Sequence, residues 1–508
     1  MKKTIIRALS LALVVLSLAM VFSACNLNLF SDNFGDNGDN GDNGGNSGNS
    51  GNGGNVPTTD SLKYNGEEIN ILGRQKTSDM EEYFENYDDV AGHTVNEAIY
   101  NRNAYTIDKL NITTTYKATT DEKAVSDATI AHQAGGTYDI YCVYSLWAST
   151  LAVQGLYTNL KQYDFFDTTK EWYPEKLVKD ATIFGKLYFV SGDISTSNIF
   201  MSSLVYYNKD IYTNKQVESK IQTTYGSDNI YDLVRDKKWT YESMFTLSKN
   251  IYFDNDGSKT KNELDYFGFA TYNTLYDNFY YGAGLTTITS DANEGLKMSD
   301  GFKNTDKISN ILTMVSTFLN TNDGFTSGES HLEARTAFAE KRVLFYLAPA
   351  THAYTTFRNV SGLTYGVLPV PMYEENQDGG YQACLSNPYS MYGVASASNT
   401  PEIAAAYLHV LGEYSYKITR PVFFDETMKL KYAENIDDSE MWDMVIDSQS
   451  YDLGKVFCEQ IGDKSPTVNN FRDCIKQGTT DWGGKLTANR SAINKSLKSL
   501  NEQFKKLP

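Results

Sequence analysis

Tyrosine is unusually frequent in this sequence, and several tyrosines stand beside polar residues where predicted strands end. The 508 residues include 37 tyrosines, and Phe, Trp and Tyr together make up 13%. The faces of Tyr and Trp rings stack on the apolar faces of sugar rings, while Asp, Asn, Ser and Arg bond to hydroxyls. The side chains predicted to bind a ligand in this way are Arg74, Tyr144, Ser145, Trp147, Asp193, Ser195, Tyr281, Thr351, His352, Asn387 and Tyr389. Most of the other tyrosines must pack at the edge of the core.

Sequence motifs for catalysis are absent. The chain has no G-x-S-x-G, P-loop, G-x-G-x-x-G or H-E-x-x-H motif, and its five histidines are widely separated. We therefore expect no cofactor, no metal and no enzymatic activity. The 63 acidic residues could pair for glycoside hydrolysis, but a solvated negative surface is the favoured interpretation. The net charge of −18 argues against nucleic acid as a partner.

One acidic loop has part of a calcium-binding pattern. Asp254, Asp256, Ser258 and Asp265 match positions one, three, five and twelve of an EF-hand loop. Position six, which requires glycine, is Lys259. A polar turn between a helix and the next strand is therefore the favoured interpretation, with calcium binding as the alternative.

The first residues have the order of a secretion signal. Lys2, Lys3 and Arg7 precede an apolar run over residues 8–22, which is shorter than the roughly 20 residues that span a bilayer as a helix. Small residues follow, up to Cys25. Residues 26–60 consist mainly of Asn, Gly and Asp, which bury little and predict a flexible linker.

Residues 22–25, Phe-Ser-Ala-Cys, resemble a bacterial lipobox. The resemblance implies that residues 1–24 are removed as a lipoprotein signal peptide and that Cys25 carries the lipid, such as palmitate. The protein would then be anchored at the extracellular face of the cell membrane, with residues 25–60 as its tether. A plain secretion signal and an uncleaved anchor are the alternatives.

Lipidation of Cys25 leaves four other cysteines, Cys142, Cys384, Cys458 and Cys474. Disulfides are permitted outside the cell, and Cys458 and Cys474 are the pair closest in sequence. A Cys458–Cys474 disulfide and buried free thiols both remain open.

Short strands and helices alternate from residue 61 onward. Strands are predicted over residues 68–72, 112–116 and 138–143, and helices over 95–110 and 121–134. This order predicts an α/β fold with a mainly parallel sheet flanked by helices. Ligands bind beyond the carboxyl ends of such strands, so the loops that begin at Gly73 and Tyr144 are expected to line a site.

Seven short motifs occur in the order found in one protein family. They are Lys186–Tyr188 (KLY), Tyr206–Asp210 (YYNKD), Trp239–Glu242 (WTYE), the loop Asp254–Gly268, the FAEKRVL segment Phe338–Leu344, Leu368–Pro371 (LPVP) and the helix start Glu402–Leu408. In this order, behind a lipobox, the chain resembles the extracellular solute-binding proteins of ABC importers, of the large sugar-binding type. The resemblance covers residues 60–430 approximately.

The resemblance implies a two-lobed periplasmic-binding-protein-like fold, each lobe a mainly parallel sheet flanked by helices. Hinge strands would cross near residues 199–204 and 384–390. Lobe 1 is predicted to hold residues 61–198 and 389–430, and lobe 2 residues 199–388 and 431–508.

The resemblance also implies the function. The expected protein is a monomer that captures a carbohydrate between its lobes and delivers it to ABC permease subunits in the membrane. The alternative is a lipid-anchored surface glycoside hydrolase or another carbohydrate-active enzyme.

Overall fold

A computed structural model describes residues 59–75, 81–424, 436–462 and 469–508 of the chain. The predicted signal peptide, Cys25 and nearly all of the predicted linker lie outside these residues. Every described residue belongs to the unit Val56–Pro508. Among the described helices, none has the length and apolar character needed to cross a membrane.

The first sheet has four strands in the order β12-β3-β1-β2. They are β1 (Glu68–Arg74), β2 (Thr113–Thr119), β3 (Ile140–Tyr144) and β12 (Ser390–Val394). β1 pairs in parallel with β2 and β3, and β12 runs antiparallel to β3. The carboxyl ends of the parallel strands therefore share one edge, where Arg74 and Tyr144 lie, as the sequence predicted.

The pairing of β1 with β2 requires a glycine in one position. A Cβ atom on Gly73 would lie 2.1 Å from the ring of Tyr116 in β2, a separation that atoms cannot adopt. The Tyr116 hydroxyl donates to the carbonyl of Arg74 at 2.8 Å. The ring thus crosses over Gly73 and fixes the end of β1 that carries Arg74.

The second sheet has five strands in the order β10-β4-β9-β5-β8. They are β4 (Ser203–Asn208), β5 (Phe267–Thr271), β8 (Gly324–Thr326), β9 (Val343–Pro349) and β10 (Tyr365–Leu368). β5 is parallel to β8 and β9, while β4 is antiparallel to β9 and β10. Two small ladders complete the strands: β6 (Ile288–Asp291) with β7 (Gly295–Met298), and β11 (Ala383–Cys384) with β13 (Gln449–Ser450).

Helices cover both sheets and form the carboxyl-terminal part of the chain. In order they are α1 (Thr94–Leu110), α2 (Ala124–Gln133), α3 (Ser145–Val153), α4 (Glu175–Ala181), α5 (Thr196–Phe200), α6 (Lys209–Asn214), α7 (Val217–Tyr225), α8 (Ile230–Arg235), α9 (Tyr241–Ser248), α10 (Asp277–Tyr281), α11 (Asp300–Lys303), α12 (Thr305–Leu319), α13 (Leu332–Ala339), α14 (Thr351–Thr355), α15 (Pro401–Tyr414), α16 (Arg420–Phe424), α17 (Ile436–Ser448), α18 (Leu453–Val456), α19 (Cys458–Ile461), α20 (Asn469–Gln477) and α21 (Trp482–Phe504). The Thr240 side chain caps α9, and Pro401 is the first residue of α15.

The chain passes between the two sheets at three neighbouring places. Val190 bridges to Tyr392 of the first sheet, and β4 of the second sheet begins at Ser203. The return runs from β11 to β12. The third segment, β13, pairs with β11, and the backbone N–H of Ser203 donates to Gln449 at 3.0 Å. These segments join the two lobes; the exact lobe boundaries stay predictions.

The last helix, α21, contacts parts of the chain from both sides of these segments. Asn501 accepts from the backbone N–H of Leu296 in β7 at 2.8 Å. The Phe504 ring lies 5.8 Å from that of Tyr188, and Lys186 donates to the carbonyl of Leu507. Packing against both sides ties the end of the chain to the body of the protein.

Tyrosine supplies much of the core. Among the largest fully buried side chains are Tyr141, Tyr157, Tyr188, Tyr206, Tyr241, Tyr280, Tyr281 and Tyr346. Packing therefore accounts for many of the tyrosines, as the sequence suggested.

No disulfide joins the two cysteines that the sequence offered as a pair. Cys474 is a free, buried thiol in α20, and Cys458 begins α19. Cys474 lies on the buried side of α20 with Phe471 and Ile475, where it serves as a small apolar side chain. Of the two alternatives, the structure has the free thiol at Cys474.

Candidate functional site

The loops at the ends of β1 and β3 bring Arg74 and Tyr144 together. The Arg74 guanidinium lies 5.2 Å from the centre of the Tyr144 ring. Two of its nitrogens donate to the Asp121 carboxylate, at 2.7 and 2.8 Å. Arg74 is therefore held in place by Asp121 and supports the Tyr144 ring.

Ser145, Trp147 and Tyr389 extend the same surface. The backbone N–H of Ser145, at the start of α3, donates to the carbonyl of Tyr389 at 2.9 Å. Two residues after Ser145, the Trp147 ring meets the Tyr144 ring edge-on, with 6.5 Å between ring centres. Trp147 Nε1 is buried, and within the described part of the chain it has no hydrogen-bond partner.

The opposite wall comes from the second sheet and the carboxyl-terminal helices. Tyr281, in α10, is 1% exposed, and its hydroxyl has no partner among the residues the structure describes. In the same helix Asp277 accepts two bonds from Arg472, and the Lys455 ammonium lies 3.8 Å from it. A buried carboxylate between two cations keeps both cations in place.

The charge of Arg472 acts on rings in both groups of residues. Burial raises the pKa of Tyr144, while Arg74 and Arg472 act in the opposite direction. Burial also raises the pKa of Tyr281, and its ring in turn affects the pKa of Arg472. α3, which follows Tyr144, packs against α18, and Lys455 of α18 lies 3.8 Å from Asp277 in α10. We therefore group Tyr144, Trp147, Tyr389 and Tyr281 as one candidate site at the junction of the lobes. We call it the inter-lobe site.

A cavity of about 330 Å³ lies beside the first crossing segment. Its lining residues are Glu171, Trp172, Tyr173, Pro174, Glu175, Lys176, Gly192, Asp193, Asn198, Ile199, Ser202, Arg420, Ile446, Asp447, Gln449 and Tyr451. We call it the hinge cavity. Its volume falls within the range of small-molecule pockets.

Asp193 is the buried carboxylate of the hinge cavity. Arg420 donates to its Oδ2 at 3.3 Å. Burial raises the pKa of Asp193 to about 6, although Arg420 acts to lower it. The nearby Asp447 acts with burial to raise this pKa. One long hydrogen bond therefore does not offset the loss of solvation.

Tyr451 connects the hinge cavity to the inter-lobe site. Its ring centre lies 5.6 Å from that of Tyr389, and Asn198 donates to its hydroxyl. Tyr389 in turn belongs to the inter-lobe site through Ser145. The two regions are therefore neighbours on either side of one buried ring.

Several predicted residues lie elsewhere. Ser195 is buried, and its hydroxyl donates to Glu82 at 2.9 Å, away from the hinge cavity lining. The His352 ring stacks on that of Tyr346, which lowers its exposure and, through burial, its pKa. Thr351 begins α14, and Asn387 is exposed before a cis bond to Pro388. No contact of these residues with Tyr144 or Asp193 is present in the described chain.

Other contributing residues have no local signal in the sequence. They are Trp172, Asn198, Asp277, Arg420, Gln449, Tyr451, Lys455 and Arg472. Most follow neither a strand end nor a recognisable motif, because the packing of the carboxyl-terminal helices brings them to the site. Asn198 alone could have been found, since it directly precedes the first predicted crossing, near residues 199–204.

The acidic loop before β5 is a polar turn. Asp254, Asp256 and Asp265 each offer an oxygen within 4.8 Å of the others. All three accept hydrogen bonds from the loop itself, including the backbone N–H of Gly257 to Asp254 at 2.7 Å and of Asn255 to Asp265 at 3.0 Å. These bonds are those of a polar turn, and calcium binding by the same three carboxylates stays an untested alternative.

No protein-family model matches this sequence, and no curated protein sequence matches it. Solved structures do match. The cyclic α-maltosyl-1,6-maltose-binding protein from Arthrobacter globiformis has a TM-score of 0.55 at 13% identity, covering 85% of this chain and 100% of that one. A cyclo/maltodextrin-binding protein complexed with maltotetraose has a TM-score of 0.52 at 12% identity, covering 87% and 99%. The sugar-binding protein MalE from Xanthomonas citri has a TM-score of 0.51 at 14% identity, covering 86% and 98%.

These likenesses extend over the full length of the other chains. They show that the described chain has the two-lobed periplasmic-binding-protein fold. The fold that the sequence predicted is thereby confirmed.

Proposed function

We propose that this protein is the substrate-binding component of an ABC importer and that it captures a carbohydrate between its two lobes. The observation that carries the proposal is the inter-lobe site, which groups the rings of Tyr144, Trp147 and Tyr389 with that of Tyr281 at the junction of the lobes. Two buried polar groups there, Trp147 Nε1 and the Tyr281 hydroxyl, lack partners in the described chain.

Both features suit an oligosaccharide. A buried polar group without a partner costs about 1–3 kcal/mol, so a ligand hydroxyl that bonds to it gains affinity. Rigid aromatic rings beside such groups stack on the apolar faces of sugar rings. Neighbouring ion pairs, such as Arg74 with Asp121, hold the aromatic rings in fixed positions.

The fold relatives support the same ligand class. The proteins of known structure named above bind maltodextrins or cyclic maltosyl-maltose, or are named as sugar-binding. They are binding proteins of transporters, which supports capture without turnover.

The placement in the cell belongs to the same proposal. Lipid on Cys25 would hold the protein at the outer face of the membrane, and residues 26–60 would let the monomer reach a permease. Closure of the lobes on the sugar would present one shape to the permease subunits.

Thermal unfolding of the purified full chain tests the proposal. The panel comprises maltotetraose, cellotetraose, xylotetraose and, as a non-sugar control, trialanine. A sugar at 100 times its Kd should stabilise the protein by about 2.7 kcal/mol, and the melting temperature should rise with its concentration. Each sugar is assayed in parallel for release of shorter products.

Two results would count against the proposal. If trialanine alone stabilises the protein, the captured solute is a peptide and not a carbohydrate. Release of shorter sugars would identify a hydrolase, especially if replacing one Asp or Glu abolished it.

A further inference from the structure

The hinge cavity has more acidic than basic side chains in its walls. Its lining includes the carboxylates of Glu171, Glu175, Asp193 and Asp447, against the cations Lys176 and Arg420. Glu171, Glu175 and Asp447 are exposed at the cavity, whereas Asp193 is 6% exposed. The cavity therefore has an inner carboxylate and an acidic rim.

The two cations are already engaged with acidic groups. Arg420 bonds to Asp193, and it also acts on the pKa of Asp443. Burial lowers the pKa of Lys176, and Asp180 and Glu175 act to raise it. Neither cation neutralises Asp447, for which the described residues provide no hydrogen bond or ion pair.

Asp193 has an acceptor atom left over. Its Oδ2 accepts the bond from Arg420 at 3.3 Å, and no donor in the described chain reaches its Oδ1. The carboxylate lines the cavity, so a donor on a bound molecule can reach it.

The acids are not arranged for a metal ion. Among the described residues, Asp254, Asp256 and Asp265 are close enough together to share one metal ion. They lie outside the cavity. The cavity carboxylates are too far apart to converge on a single ion. A dispersed negative field of this kind suits an organic cation.

Neutral polar groups and rings complete the cavity. Asn198 and Gln449 line it, and so do the rings of Trp172 and Tyr451. Such rings attract an ammonium group. The Gln449 amide is bonded to Ser203 and Val445, and Asn198 donates to Tyr451, so these amides hold the cavity wall in place.

We propose that the hinge cavity binds a protonated amine of the captured solute, with Asp193 as its inner partner and Asp447 as its rim partner. This inference rests on the proposed function, within which the solute is an amino sugar.

Three disaccharides of one shape test the proposal by isothermal calorimetry on the full chain at pH 7. They are the β-1,4-linked dimers of glucosamine, N-acetylglucosamine and glucose, which differ in an amine, an acetamide or a hydroxyl at C2. Spermidine is the amine probe without a sugar. The glucosamine dimer should bind at least tenfold more tightly than the glucose dimer, and added salt should reduce the difference.

Substitutions in the hinge cavity test whether the amine binds there. Asp193→Asn should weaken binding of the glucosamine dimer about tenfold and leave the glucose dimer almost unaffected. Asp447→Asn, at an exposed position, should weaken it about threefold with no cost to folding. Asp300→Asn is the matched control, because that exposed carboxylate lies outside the cavity and pairs with Lys303 at 2.7 Å.

Each result decides between the two proposals. Equal or tighter binding of the glucose dimer would overturn the amine site and leave carbohydrate capture intact. An amine preference that survives both Asp193→Asn and Asp447→Asn would also overturn it. Spermidine binding that depends on Asp193, without binding of any disaccharide, would uphold the amine site and overturn carbohydrate capture.

Discussion

Two neighbouring tyrosines in α10 illustrate how the same residue type takes different roles. Tyr280 and Tyr281 are both fully buried, and their ring centres lie 5.4 Å apart. The Tyr280 hydroxyl donates to the carbonyl of Thr286 at 2.9 Å, whereas that of Tyr281 has no partner in the described chain. The first hydroxyl is structural, and the second is the one that we propose bonds to a ligand.

Phenylalanine substitutions should separate these roles. Tyr281→Phe removes an unpartnered buried hydroxyl, so the free energy of unfolding should stay the same or rise, while affinity for the bound oligosaccharide falls roughly three- to tenfold. Tyr280→Phe is the control and should lower the free energy of unfolding by about 1 kcal/mol without changing affinity. Urea unfolding and calorimetry measure the two quantities. Unchanged affinity in Tyr281→Phe would make Tyr281 a core residue only.

Asp193 should give the protein a specific dependence of stability on pH. Its pKa is raised to about 6 in the folded protein, against about 3.9 for an unperturbed aspartate. The folded state therefore holds this proton more firmly than the unfolded state. The stability that results is fully present below pH 4 and is lost as the pH rises through 6.

Urea unfolding at pH 4.5, 5.5 and 6.5 checks this. The free energy of unfolding of the wild type minus that of Asp193→Asn should fall with rising pH, because asparagine does not titrate. The charged groups that line the cavity around Asp193 are Glu171, Glu175, Lys176, Arg420 and Asp447. The free energy of unfolding of the wild type minus that of Asp300→Asn should not change over this pH range. If the difference between wild type and Asp193→Asn does not change with pH, the pKa of the Asp193 carboxyl is not raised in the folded protein.

At the scale of elements, one buried glutamate fastens the first crossing segment to the first lobe. Glu82 accepts from the backbone N–H groups of Thr196 and Ser197, at 2.9 and 3.1 Å, and from the hydroxyl of Tyr392 in β12 at 3.0 Å. Ser195 also donates to it. The start of α5 and the edge strand β12 are thus joined by one carboxylate.

Glu82→Gln should therefore destabilise the protein. An amide has one acceptor oxygen where the carboxylate has two, and its NH₂ group would face other donors. We therefore expect the free energy of unfolding to fall by about 2–3 kcal/mol. Urea unfolding measures it. Glu85→Gln is the matched control, since Glu85 is exposed in the same loop. A loss below about 0.5 kcal/mol would show that the bonds to Glu82 are replaced by water.

Predictability differed between elements for a physical reason. The strands β1 and β3 were predicted because their apolar runs and flanking turns are local patterns, and with them came Arg74, Tyr144 and Trp147. Ser195 was predicted as a ligand-binding residue, but the direction of its side chain depends on Glu82, more than a hundred residues away. Local patterns place a residue on an element and leave the direction of its side chain undetermined.

At the scale of the whole molecule, a ligand between the lobes should protect both of them at once. The first wall of the inter-lobe site adjoins Ser390–Val394, and the second includes Asp277–Tyr281. Hydrogen exchange should therefore slow in both segments when the stabilising oligosaccharide is added, because the ligand and lobe closure exclude water from both.

Helix Val217–Tyr225 is the internal control, and its exchange should be unchanged. Protection of Ser390–Val394 without Asp277–Tyr281, or the reverse, would place the ligand on one lobe and contradict the inter-lobe site.

The sequence by itself determined the alternation of strands and helices, the loops at the ends of β1 and β3, and the resemblance that implied two lobes. It also indicated that most tyrosines had to be packed, and many of them are. Only the tertiary structure decided which aromatic and charged side chains meet. Tyr451, Arg420 and Arg472 come from segments distant in sequence, and their positions follow from the packing of the carboxyl-terminal helices against both lobes. Proximity across several hundred residues depends on the burial of whole elements, which no local pattern specifies.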